Sequence, residues 1–271
     1  MRAFYLLPIL LFFSVLNLNA QTDSASVCFL YTLKHIRDTA KREVIYTEIM
    51  VLLHGKNGSL FRSYNGYLAD SVREKNLTES LNRGINGSIT VKPTGKSYIK
   101  DMILKNTADN KMIIISRILD YYYWIEPTPN INWTIYPDLQ NHYNLTCQKA
   151  TCTFRGRKYT AWFTNEIPIN DGPWKFSGLP GLIVKIYDSK NEISFEFSGM
   201  ATLSKNLIAI PENSFLTNRK EFLNLRQAYL ENPMQFLQNS MKGGTIKLDF
   251  KNNTAKPGTA KSNNPIELSE E

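Results

Sequence analysis

Between Ser97 and Phe163 the chain strings together short apolar and aromatic runs, each ended by a turn rich in Asn, Asp, Pro or Gly. The runs are Tyr98 to Leu104, Lys111 to Leu119, Tyr121 to Glu126, Trp133 to Tyr136, Tyr143 to Cys147 and Lys158 to Phe163. Their strand-like length and punctuation predict antiparallel neighbours joined by tight connections. The pattern continues on both sides, with strands at Cys28 to Lys34, Val44 to Leu53, Ser59 to Tyr64, Leu182 to Tyr187 and Ile193 to Leu203. In Val44 to Leu53 both alternating faces carry apolar side chains, which requires cover on both sides of at least part of that strand. Two helices are predicted, Gly66 to Arg83 and Asn218 to Leu230, the second with Phe222, Leu225 and Tyr229 on one side; Asn232-Pro233 restarts a further helical turn. A last strand is placed at Thr245 to Phe250. The expected fold class is α+β: a large antiparallel, curved, half-barrel-like β-sheet with one or two packed helices.

The N-terminus reads as a cleaved leader. Arg2 precedes an apolar run from Ala3 to Leu16, too short to span a bilayer, and Asn17-Leu18-Asn19-Ala20 offers a cleavage site before Gln21. The expected organisation is a signal peptide at 1–20, a single domain at 21–250 and a polar C-terminal tail at 251–271 ending in Asn264-Pro265-Ile266-Glu267-Leu268. No later segment is apolar enough to cross a membrane as a helix. The formal charge is +8, from 32 basic and 24 acidic residues, and the bases are scattered in pairs such as Lys41-Arg42, so nucleic acid is not the expected partner.

The stretch Asn170 to Asp188 sets two turns around an aromatic segment. Gly172-Pro173 closes the first. Leu179-Pro180-Gly181-Leu182 reads as a type II turn that would hold Gly181 at positive φ. Gly178 to Ile183, spelling GLPGLI, resembles the namesake motif of the GLPGLI family of exported Bacteroidetes proteins. The resemblance takes in Ala150, Phe154-Arg155-Gly156-Arg157, Ala161 to Thr164, Ile167-Pro168-Ile169 and the Asn264 to Leu268 ending. It implies export to the periplasm, the outer membrane or the medium, and a shared fold. It implies no activity.

Chemistry-bearing motifs are sparse. There is no G-x-S-x-G elbow, no H-E-x-x-H and no phosphate-cradling glycine loop, and His35, His54 and His142 are widely spaced. No cofactor or metal is expected, and a non-enzyme is favoured. Cys147 and Cys152 would form a small disulfide loop if the backbone turned between them; on a straight strand they would lie out of reach.

Aromatic rings are the functional lead. Tyr122, Trp124, Trp162, Trp174 and Phe176 are the candidate ligand-binding set, with Trp174 expected at a rim between its two turns. The expected role is a non-catalytic cell-envelope binding protein holding an apolar or peptidic ligand on the curved sheet. The alternative is a protein partner of an outer-membrane receptor or secretion assembly, docking through a sheet edge or the terminal segment. A hydrolase with a spatially assembled site is the third reading.

Overall fold

A computed structural model describes residues 23–71, 97–107, 109–240 and 262–269. The strands in chain order are β1 (Asp23–His35), β2 (Tyr46–Gly55), β3 (Gly58–Ser63), β4 (Met102–Asn106), β5 (Lys111–Arg117), β6 (Tyr121–Pro127), β7 (Thr134–His142), β8 (Leu145–Phe154), β9 (Arg157–Thr164), β10 (Leu182–Asp188), β11 (Ile193–Ile208) and β12 (Phe215–Leu216). Among the described residues they form one open sheet of 12 strands in the order β12-β6-β5-β4-β3-β2-β1-β11-β10-β9-β8-β7. Every pairing is antiparallel except that of β12, which lies parallel to β6. The α+β class expected from the turn spacing is the one observed.

Residues 64–71 are helical (α1), followed later by α2 (Arg219–Glu231) and α3 (Pro233–Ser240). Each of the last two starts on an asparagine. The Asn218 side chain accepts the Glu221 N–H at 2.9 Å, and Asn232 accepts that of Gln235 at 3.0 Å. These side chains satisfy backbone donors that a helix start leaves free. The leader expected at 1–20, the part of the first predicted helix at 72–83, the strand expected at 245–250 and the first part of the expected tail, 251–261, lie outside the described residues.

The sheet is buried on both sides where the sequence required it. Phe29, Tyr31, Met50, Leu52, Phe61 and Ile103 face one core, while Cys28, Val51, Leu53, Leu60, Leu104 and Ile115 face a second, which Tyr67 of α1 helps to cover. On the first face Tyr31, Phe61 and Phe195 meet edge to face, with ring centroids 6.5 and 5.8 Å apart. Tyr143, between β7 and β8, sets its ring 5.6 Å from Phe197 of β11. In a flat sheet β8 and β11 would be roughly 14 Å apart, three strand spacings, so the sheet bends toward this face.

The hollow of that bend is filled by the chain itself. Asp171 to Phe176 is buried without interruption, and Leu179 follows at 1 % exposure. The backbone takes three-residue turns here: Ile169 N–H donates to Ile167 O at 2.7 Å, Asp171 to Ile169 at 2.8 Å and Gly181 to Leu179 at 2.8 Å. This corrects the type II turn expected at Leu179 to Leu182, because Gly181 is not among the positive-φ glycines, which are Gly156 and Gly178. Gly181 is needed for space instead: a Cβ there would sit 2.0 Å from the Thr164 carbonyl oxygen. The left-handed residue is Trp174 (φ 54), at the first central position of the Pro173–Phe176 turn.

At β8 one expectation changes and one open alternative is decided. Tyr143 and Asn144 (φ 52 and 60) form a two-residue turn, so Tyr143 begins no strand, and Arg155-Gly156 (φ 48 and 78) does the same at the other end. Between these turns β8 runs through both cysteines. A five-residue separation on an extended strand is roughly 16 Å, and Cys28, Cys147 and Cys152 are all free thiols, so the local disulfide does not form.

Candidate functional site

The structure divides the five aromatic candidates between three surroundings. On β9, Tyr159, Ala161 and Phe163 point into the core, so Trp162 faces outward and lies half-buried with its ring 5.4 Å from that of His142. Phe176 is wholly in the core, 4.8 Å from Tyr159 and 5.3 Å from Phe154. Tyr122, Trp124 and Trp174 gather at the other end of the concave face. There Phe222 of α2 stacks on Trp124 at 5.2 Å and lies 5.9 Å from Tyr122.

Trp174 does not stand at a rim. It is 7 % exposed and donates from Nε1 to Glu267 Oε1 at 2.9 Å. Trp124 makes the matching bond to Glu126 at 2.9 Å, and Lys175 Nζ lies between the two carboxylates, 2.7 Å from Glu126 and 3.1 Å from Glu267. Burial works to raise the Glu126 pKa, but the Lys175 ammonium outweighs it and holds the group below its ordinary value.

Glu267 belongs to the terminal segment, which is packed and not free. Its anchor is Arg157, 4 % exposed. The guanidinium pairs with Asp188 at 3.0 Å and Glu192 at 3.1 Å, donates to the carbonyls of Pro265 (2.8 Å) and Ile266 (3.2 Å), and bonds the Asn264 side chain. His35 adds a bond from Nε2 to the Asn264 carbonyl at 2.8 Å, while its Nδ1 is buried without a partner. Burial lowers the His35 pKa, so the imidazole is neutral at neutral pH and Nε2 carries the donated proton.

Between this segment, α2 and residues 97–101 lies a cavity of about 280 Å³. Trp124, Trp174 and Phe222 form its apolar lining, and Arg37, Lys100 and Arg226 bring positive charge to it. Asp101 also faces it, half-buried, with loss of solvation raising its pKa against a hydrogen bond from Ser116.

A second, larger pocket of about 570 Å³ opens on the outer face beside Trp162, Tyr187, His142, Lys34 and Glu196. Of the five aromatic candidates only Trp162 reaches it. Sequence reading missed His142, Tyr187 and Glu196, whose only signal was their outward phase on predicted strands, and missed Arg157, whose signal was a charged residue opening an otherwise strand-like run.

For catalysis the nearest arrangement is His54 Nδ1, 3.4 Å from Asp171 Oδ2. Among the described residues no hydroxyl or thiol hydrogen-bonds to that imidazole, and no three metal-ligating side chains gather. The buried thiols of Cys147 and Cys152 are pushed up to about 11 and about 12 by loss of solvation, far from the range of a thiolate nucleophile. No helix among the described residues is long and apolar enough to cross a membrane.

Comparison with known proteins places this architecture as follows. A family model described as "Protein of unknown function (Porph_ging)" matches residues 130–185, the segment from just before β7 into β10 that includes the buried crossing. No curated protein matches the chain. Among solved structures, two crystal forms of PNGF-II are similar in fold. The first has a TM-score of 0.50 at 11 % identity over 76 % of this chain and 33 % of that one. The second has a TM-score of 0.51 at 9 % identity over 73 % and 32 %. The chain therefore spans about a third of those structures' length, and the likeness is one of fold.

Proposed function

We propose that this chain is a non-catalytic binding protein of the cell envelope, and that its ligand enters the concave-face cavity between α2 and the terminal segment. The single observation that carries the reading is the lining, which joins Trp124, Trp174 and Phe222 to Arg37, Lys100 and Arg226. An apolar body with one anionic group suits such a place, the body stacked on indole rings and the charge met by guanidinium. At about 280 Å³ the cavity holds one large residue and no long acyl chain, so the favoured ligand is the apolar C-terminal residue of a peptide.

The test is a Trp-fluorescence titration with N-acetylphenylalanine and with its amide. Saturable binding of the acid, weakened by salt and by Arg226→Gln, with the amide at least about tenfold weaker, supports the reading. No saturable binding of the acid by a folded sample overturns it.

A second reading, docking to another protein, is favoured by one feature. Edge strand β7 is exposed along nearly its whole length, with Ile135, Tyr136 and Leu139 open to solvent. The terminal segment is less suited to that role, because Asn264 and Ile266 are buried.

A further inference from the structure

The outer face of the sheet carries a pocket twice the volume of the inner cavity and chemically unlike it. Its floor is a patch of paired strand residues. Trp162 lies opposite Lys185, Lys185 opposite Glu196 and Glu196 opposite Thr32, forming one row across β9, β10, β11 and β1. Thr160, Tyr187, Ser194 and Lys34 form the next row. Gln140 and His142 from the end of β7 line it from the far side.

Three properties narrow what can bind there. Every floor strand has a partner on both sides, so no backbone edge is free and a peptide could not be read by strand addition; recognition must come from side chains alone. The ionic groups are mostly paired: Lys185 Nζ is held by Glu196 at 2.6 Å, and Glu192 is already engaged by Arg42 and Arg157, which leaves Lys34 as one further positive charge on the lining. A cationic ligand therefore finds both carboxylates already paired, and an anionic one meets a single lysine and no guanidinium on the lining. What remains is a pair of aromatic platforms, Trp162 and Tyr187, set on the same face two residues out of step on adjacent strands, beside planar or hydroxylated hydrogen-bonding groups. His142 adds a buried Nε2 without a partner, and burial together with Lys185 keeps that imidazole neutral.

We propose that this outer groove is a carbohydrate-binding site for a neutral oligosaccharide, with Trp162 and Tyr187 as stacking platforms and Glu196, Gln140, Ser194 and His142 reading hydroxyl groups. Sugar rings present apolar C–H faces to the aromatic side chains and a fringe of donors and acceptors to the polar ones. A volume of about 570 Å³ admits more than one sugar unit. The stacking platforms lie on the opposite face from the inner cavity, the two linings sharing His35, and the proposal does not depend on ligand binding in that cavity.

The test is isothermal titration of the full chain with cellohexaose, maltohexaose and chitohexaose. At least one should bind saturably, with affinity falling about tenfold in Trp162→Leu and severalfold in Glu196→Gln. Trp124→Ala, in the inner cavity, should leave binding unchanged. Glu196→Gln keeps the side-chain shape and guards against loss of fold in Trp162→Leu, and circular dichroism checks both. Failure of all three sugars to bind a folded sample overturns the proposal, as does binding indifferent to both substitutions. Neither result bears on titration of the inner cavity with N-acetylphenylalanine.

Discussion

Lys105 Nζ lies 2.6 Å from Asp171 Oδ1, with the two side chains 8 % and 6 % exposed. The same ammonium donates to the carbonyls of Gly172 at 2.6 Å and Phe176 at 3.1 Å. A residue of β4 thus pins the buried crossing Asp171 to Phe176 against the sheet, supplying polar partners that a loop in the core could not take from water.

Lys105→Met should therefore destabilise the protein by about 3 to 5 kcal/mol, because it leaves a carboxylate and two carbonyls buried without their cation. Chemical denaturation of the variant against wild type measures this. A loss below about 1 kcal/mol would show that the crossing is held by its apolar contacts alone.

The pair also sets an acid limit. Burial tends to raise the Asp171 pKa, but Lys105 and the hydrogen bonds from His54 and Lys105 prevail and hold it at about 2. A folded-state pKa below the unfolded value of about 3.9 means stability is fully present above the unfolded pKa. It is lost as pH falls from about 4 toward 2, by an amount of about 2 kcal/mol. Stability measured across that range should fall less steeply in Asp171→Asn, although that variant starts lower. Parallel curves for the two proteins would assign the acid sensitivity to other groups.

Two glycines that follow the crossing should fail for different reasons. At Gly181 a Cβ would lie 2.0 Å from the Thr164 oxygen and 2.7 Å from its carbonyl carbon, both backbone atoms that β9 holds in place. Gly181→Ala should cost about 1 to 3 kcal/mol through forced displacement. Gly178, at φ +96, has open room, with Trp133 Nε1 nearest at 3.5 Å. Gly178→Asn should recover part of what Gly178→Ala loses, since asparagine tolerates left-handed backbone, whereas Gly181→Asn should be no better than Gly181→Ala. Melting temperatures of the four variants separate conformational from steric demand.

The strands were legible because turn residues and alternating burial are local properties, and the asparagine cap of α3 was legible for the same reason. The position of Gly181 was misread because Pro-Gly suits a type II turn locally, while the approach of Thr164 comes from a strand seventeen residues earlier in the chain. Tyr143-Asn144 lacked the glycine that normally marks a two-residue turn. The aromatic residues were recognised as a group, but which of them met was not. Trp124 and Trp174 come together through α2 and Glu267, contacts that span 50 to 100 residues of sequence. Arg157, Asp188 and Asn264 likewise meet only because the terminal segment returns to the sheet.

The attachment of α2 rests on a narrow base. Phe222 is the helix's one buried residue, at 2 % exposure, and it is the ring that stacks on Trp124 and touches Tyr122. Thirteen residues are marginal for an isolated helix in water, so α2 depends on that contact for most of its order. Phe222→Ala should remove about 3 to 5 kcal/mol of packing, more than a peripheral helix can lose and stay docked. The expected result is local and not global: hydrogen exchange should accelerate across 219–231 while β1, β10 and β11 keep their protection. The inner cavity would lose one wall, so N-acetylphenylalanine binding should weaken, and cellohexaose or related binding at Trp162 should persist. Uniform acceleration throughout the sheet would show instead that α2 and the strands unfold as one unit.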